Sequence, residues 1–157
     1  MSLFKGEFIF TPRIVGAVDG VNAKAGHVGE VVSSLVPVGS AVSLTTATPA
    51  NVTSISLTAG DWNIEGTVNF TAAAATTAAG AAFAVGVNTT SATVPTDGSE
   101  TYEYLGAITT GTYKATGEAS LKTLNVTANT TVYLVASATF SAGTVGAYGA
   151  LIARRVR

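Results

Sequence analysis

Cysteine is absent from this chain, histidine and methionine occur once each, and only 11% of the 157 residues are charged. Without cysteine there is no disulfide, no thiolate metal site and no thiol nucleophile, and the redox compartment is left open. His27 is the only histidine, with no Asp or Cys beside it, so neither a Ser-His-Asp set nor a histidine metal centre is expected; it reads as a linker residue. Eight Lys and Arg against nine Asp and Glu give a net charge of −1. That balance offers no basic surface for nucleic acid or an anionic membrane, both of which need clustered Lys and Arg. The one cluster, Arg154, Arg155 and Arg157, either reaches an acidic neighbour or keeps the last strand soluble. Near the N-terminus Glu7 and Arg13 interrupt the apolar residues, so neither a signal peptide nor a membrane span is expected, and synthesis in a cytoplasm is the corresponding expectation.

An ordinary soluble domain is about 25% charged. A surface this poor in Lys, Glu and Asp fits one that is covered by copies of itself or by other proteins, because desolvated interfaces are depleted of charge. Assembly is therefore the first functional expectation.

Ala, Thr, Gly and Val dominate instead, and their order is that of a β-protein. After Ala59-Gly60-Asp61, read as a turn, Trp62, Ile64, Val68 and Phe70 fall on alternate positions, with Asn63, Glu65, Thr67 and Asn69 between them. Period-2 alternation marks a strand with one face in a core. Similar segments recur at about 30–37, 41–46, 51–58, 81–89, 101–108, 119–127, 131–141 and 144–154, separated by turn residues such as Pro37, Pro49, Pro95-Thr-Asp-Gly98 and Ala142-Gly143. The expected fold is an all-β antiparallel sandwich, a jelly roll of about eight strands. Its expected core includes Trp62, Ile64, Val68, Phe70, Val132, Leu134 and Phe140. The alanine-rich stretch 72–82 also holds Thr76, Thr77 and Gly80 and has no amphipathic face, so it reads as a loop or loosely paired strand.

Residues 1–28 read as an extended arm and linker, with Phe4, Phe8 and Phe10 on one side of a short strand and Ile9 between them, and 29–157 as the domain. Gly16, Gly20, Gly26 and Gly29 make the connection irregular.

The segment Gly29-Glu-Val-Val-Ser-Ser34, residues 39–62 ending Thr-Ala-Gly-Asp-Trp62, residues 130–140 and the terminal Ala147-Tyr-Gly149 with Ala153-Arg-Arg-Val-Arg157 resemble bacteriophage and prophage virion proteins. In that family such domains belong to tail fibres and related surface proteins. The resemblance spans about residues 29–157 and is weak between 72 and 118; at the level of fold there is a more distant likeness to trimeric jelly rolls of the C1q and tumour-necrosis-factor kind. It implies a virion location, a homotrimer as the expected oligomer, and contact with the major capsid protein or other virion proteins. The residues that would bind partners are Phe4, Phe8, Ile9 and Phe10.

Two function classes follow. One is structural: capsid decoration or cement, attached through the arm. The other is recognition of a bacterial surface glycan or protein by a fibre domain, through a loop containing Asp97, Glu100, Tyr102 and Tyr104. Asp97, Glu100 and Glu103 surround a turn whose oxygens could hold calcium, but a plain acidic loop is the favoured reading. Asp61 and Glu65 are expected on one outward face, roughly 13 Å apart along the strand, beyond the ~5–9.5 Å of glycosidase carboxylates. No residues place a nucleophile, a base and an oxyanion donor together, so neither an enzyme nor a cofactor is expected.

Overall fold

The structure, a computed structural model, describes residues 20–73, 81–105 and 113–157. Among the described residues there are nine strands: β1 (Val31–Val36), β2 (Val42–Leu44), β3 (Ala50–Leu57), β4 (Gly60–Ala72), β5 (Ala81–Asn88), β6 (Thr101–Leu105), β7 (Tyr113–Val126), β8 (Thr130–Ala138) and β9 (Val145–Arg155). A single 3-10 turn, Val38–Ser40, separates β1 from β2. No helix among the described residues is long and apolar enough to cross a membrane.

All strand pairings are antiparallel. One sheet has the order β1-β9-β4-β7, with β2 also on β9, and the other has the order β3-β8-β5-β6. The two sheets pack face to face as an all-β sandwich. Among the described strands only β1–β2 and β5–β6 stay within one sheet; every other connection crosses to the opposite sheet.

Alternation along β4 explains the packing. Trp62, Ile64, Val68 and Phe70 are buried, while Glu65 between them is exposed. They meet Val132 and Leu134 of β8, Leu151 of β9 and Val85 of β5 in one apolar cluster, into which Phe140 packs partly buried. Phe70 and Phe83 lie with ring centroids 4.6 Å apart and planes tilted by 48°, a favourable aromatic arrangement.

Three expectations need correction. The Ala59-Gly60-Asp61 turn is shorter than expected, because Gly60 and Asp61 already belong to β4. β7 starts at Tyr113 rather than near 119; its inward positions Ala115, Gly117 and Ala119 are too small to read as an apolar face. β8 ends at Ala138 rather than near 141. Phe4, Phe8, Ile9 and Phe10 and most of the alanine-rich stretch lie outside the described residues.

Each long side of the sandwich is formed by two terminal strands, one from each sheet. On one, β1 approaches β3, and the Ser34 and Thr53 hydroxyls hydrogen-bond at 2.6 Å. On the other, β7 pairs only with β4 and β6 only with β5, so two strand edges without described strand partners face each other.

Candidate functional site

The strand ends where β9 runs out carry the most polar interior of the molecule. Alternation along β9 turns Leu151, Ala153 and Arg155 inward, so a guanidinium occupies a core position and is only 4% exposed. Arg155 Nε donates to Glu30 Oε2 at 2.9 Å, Nη1 donates to the Ala59 carbonyl at 2.7 Å, and Nη2 donates to the Thr58 hydroxyl. The guanidinium carbon lies 4.3 Å from the centroid of the Trp62 ring, a desolvated cation–π contact worth about 2 kcal/mol. Gly60 makes room for it: a Cβ there would sit 1.9 Å from Nη1, at a backbone φ of +145°.

Beside it, Arg157 Nε pairs with Asp61 Oδ2 at 2.6 Å, and Asn125 donates to the other Asp61 oxygen. Asp61 is thereby only 9% exposed. This corrects the outward pairing of Asp61 with Glu65, since Asp61 is held within its own chain and Glu65 alone is open to solvent. The arginine cluster is divided in the same way. Arg155 and Arg157 take acidic partners inside the chain, and Arg154 is exposed on the outer face.

Burial pushes the Glu30 pKa up, but the Gly26 N–H at 2.8 Å and the Arg155 guanidinium outweigh it, and the carboxyl titrates below its ordinary value. Because the folded value lies below the unfolded one, this stabilisation is complete above about pH 4.3 and is lost as pH falls through the lower folded value. Glu30→Gln is therefore expected to flatten the acid limb of stability. Urea unfolding between pH 5 and pH 3 checks this, and an unchanged slope would show that Glu30 is not its source.

The β5–β6 connection folds back over the outer face of its own sheet. Pro95 is buried against Gly86, Asn51 holds Ser91 and the Ala92 N–H at 2.7 Å each, and Asn88 donates to the Thr93 carbonyl. At the turn, Asp97 accepts from the Ser99 hydroxyl and backbone N–H, and Glu100 accepts from the Gly98 N–H. Lys122 reaches over from β7 and donates both to Asp97 Oδ2 and to the Val87 carbonyl at 3.0 Å. The Ser99 hydroxyl, then Lys122, hold the Asp97 carboxyl well below the usual carboxylate range. Among the described residues, no three His, Cys, Asp or Glu side chains are grouped to hold a metal ion.

Tyr102 and Tyr104 sit two apart on β6, opposite Ala84 and Ala82, and so share the outer face of that sheet. They are 49% and 78% exposed, with near-parallel rings 6.5 Å between centroids. The structure thus brings Tyr102 and Tyr104 together with the Glu100 strand end, whereas Asp97 is occupied in anchoring the loop.

Two further surfaces escaped the sequence reading. The groove between β6 and β7 has a volume of about 970 Å³ and is lined by Glu65, Glu103, Glu118, Thr101, Tyr102 and residues 116–121, among others. The second is the outer face of β1 and β9. Leu35 lies opposite Ala150, and Ile152 opposite Ser33, with Tyr148 further along β9; Leu35 is 72% and Ile152 47% exposed. Period-2 alternation would have placed both residues outward, but apolar residues on both faces of a strand blur the pattern. No family model, curated protein or solved structure matches the chain.

Proposed function

We infer that this chain is a structural protein of a bacteriophage particle: a homo-oligomer, most simply a trimer, that decorates or cements the capsid and attaches through its N-terminal arm. The strand orders β1-β9-β4-β7 and β3-β8-β5-β6, with successive strands mostly alternating between sheets, are read here as jelly-roll connectivity. The observation that carries the reading is the apolar outer face of β1 and β9. Leu35 and Ile152 stand in solvent beside Ala150 and Tyr148, on a chain with only 11% charged residues. Contiguous exposed apolar surface marks an association site, and a second copy covers it here. The virion assignment draws on the family resemblance of residues 29–157.

Leu35→Glu with Ile152→Glu is expected to reduce the oligomer to monomers without unfolding it, read by sedimentation and circular dichroism. An unchanged sedimentation coefficient would overturn this interface. The particle role is tested by imaging purified particles. Copies arrayed over the head lattice support decoration, whereas a few copies at fibre ends refute it.

Tyr102 and Tyr104 favour a second reading, recognition of a bacterial surface glycan or protein. Large aromatic faces left in solvent are suited to stacking on a ligand. Under that reading Tyr102→Ala with Tyr104→Ala abolishes adsorption to cells while leaving particle assembly intact, and undiminished adsorption removes it.

A further inference from the structure

We propose that residues 3–10 of one copy dock in the groove between β6 and β7 of a second copy, as a strand added to the edge of β7 that has no described strand partner. The proposal rests on the self-assembly inferred above, not on the virion assignment, and it gives residues 3–10 to a contact between copies rather than to the particle.

The acceptor is an edge without a described strand partner. β7 is the longest strand, with 14 residues, yet it pairs only with β4. An unpaired edge presents a row of N–H and C=O groups that templates another strand. On the opposite side β1 and β3 are likewise edges without described strand partners, but there the Ser34 and Thr53 hydroxyls bridge the two strands. Along residues 116–121 the inward positions of β7 are the small residues Gly117 and Ala119. At its rim stand Leu121, 57% exposed, and Tyr102. These apolar surfaces beside a strand edge fit an amphipathic strand better than a soluble small molecule.

The donor has matching chemistry. Residues 3–10 put Phe4, Phe8 and Phe10 on one side at period 2, which supplies apolar side chains to cover Leu121 and Tyr102. The groove lining includes three carboxylates, Glu65, Glu103 and Glu118, and no Lys or Arg among the described residues. Within residues 3–10 Lys5 and Glu7 balance, so the segment adds no net negative charge to these carboxylates, and Arg13 lies just beyond it. Nine residues, 11–19, link this segment to Gly20 and span up to about 30 Å when extended. The chain enters the domain at β1, the opposite edge of the sheet from β7. The low charge content and the exposed Leu35 and Ile152 that support self-assembly make a neighbouring copy the donor.

The chain contains no cysteine, so an introduced pair reports without background. Phe8→Cys protein is mixed with Glu118→Cys protein, oxidised, and run without reductant. Because Phe8→Cys removes part of the docking face, Glu7→Cys serves as a second arm probe. Ser56→Cys, exposed on β3 in the other sheet, replaces Glu118→Cys as the control acceptor. A disulfide-linked pair of chains several-fold above that control is the expected result. Cross-linking no greater than the control with either arm probe overturns the proposal. So does a chain carrying both substitutions that forms only an internal disulfide, which would assign the groove to its own arm. The experiment needs only purified protein, so its failure is separable from failure of the capsid role, and sedimentation of the Leu35→Glu, Ile152→Glu chain tests self-assembly independently.

Discussion

Arg155→Ala is expected to destabilise the fold by about 3–5 kcal/mol, the cost of leaving the partner of a buried ion pair uncompensated. Three acceptors depend on this one side chain: the Glu30 carboxylate, the Ala59 carbonyl and the Thr58 hydroxyl. Glu30 also accepts the Gly26 N–H, so the substitution loosens the residues that lead into β1 as well as the end of β9. Trp62 loses the guanidinium over its ring, and the vacated volume lies within the core. Against a total stability of about 5–15 kcal/mol this is a large fraction, and it lowers Tm by roughly 10 °C in a domain of this size. Urea unfolding at pH 7 checks the magnitude. The mechanism is checked by Arg155→Met combined with Glu30→Leu, which removes both charges together. A buried pair replaced by apolar groups of similar volume is often neutral, so the double substitution is expected to be the more stable of the two variants. If it is the less stable, the charge pair is not the reason that Arg155 matters.

Gly149→Ala is expected to cost more than about 3 kcal/mol, at the upper end of overpacking effects. Gly149 lies in β9 opposite Val68, between β1 and β4, and a Cβ there would fall 1.9 Å from the Thr67 carbonyl oxygen. That oxygen belongs to the backbone of the neighbouring strand and cannot swing aside as a side chain could. The φ of +157° adds strain for any residue with a Cβ. Relief requires β9 to move away from β4 near the middle of the sheet. Gly39→Ala, whose Cβ would meet nothing within 4 Å, is the matched control and is expected to change stability by less than about 0.5 kcal/mol. Circular dichroism during thermal unfolding separates the two, and equal midpoints would show that β9 and β4 are not packed as closely as described.

The contrast between β4 and β7 shows what the sequence could reveal. β4 is legible because Trp62, Ile64, Val68 and Phe70 are large and alternate with polar residues. β7 is its hydrogen-bonded neighbour over most of its length, yet its first half is hidden, because Ala115 and Gly117 face a narrow part of the core, where Val85 would lie 2.8 Å from a Cβ on Gly117. The arginine cluster teaches a similar lesson. Alternation from Leu151 through Ala153 already points Arg155 inward, but a charged residue is ordinarily assigned to the surface. Its burial becomes intelligible only once Glu30 and Trp62 are seen beside it. Asp97 likewise looks like an open acidic loop until Lys122 is brought to it from the facing sheet.

The sequence alone determined the all-β class, the approximate positions of nine strands, the large residues of the core and the poverty of charge that points to assembly. These are local properties: a side chain's face follows from its parity along a strand, and a turn from the backbone preferences of a few adjacent residues. Only the tertiary structure decided which strands are neighbours, that β6 and β7 are left as facing edges, that Leu35 and Ile152 share a solvent face, and that Arg155 and Asp61 are satisfied internally. Those facts depend on contacts such as Val31 with Arg154, made between residues remote in the chain, and many strand orders satisfy the same alternation.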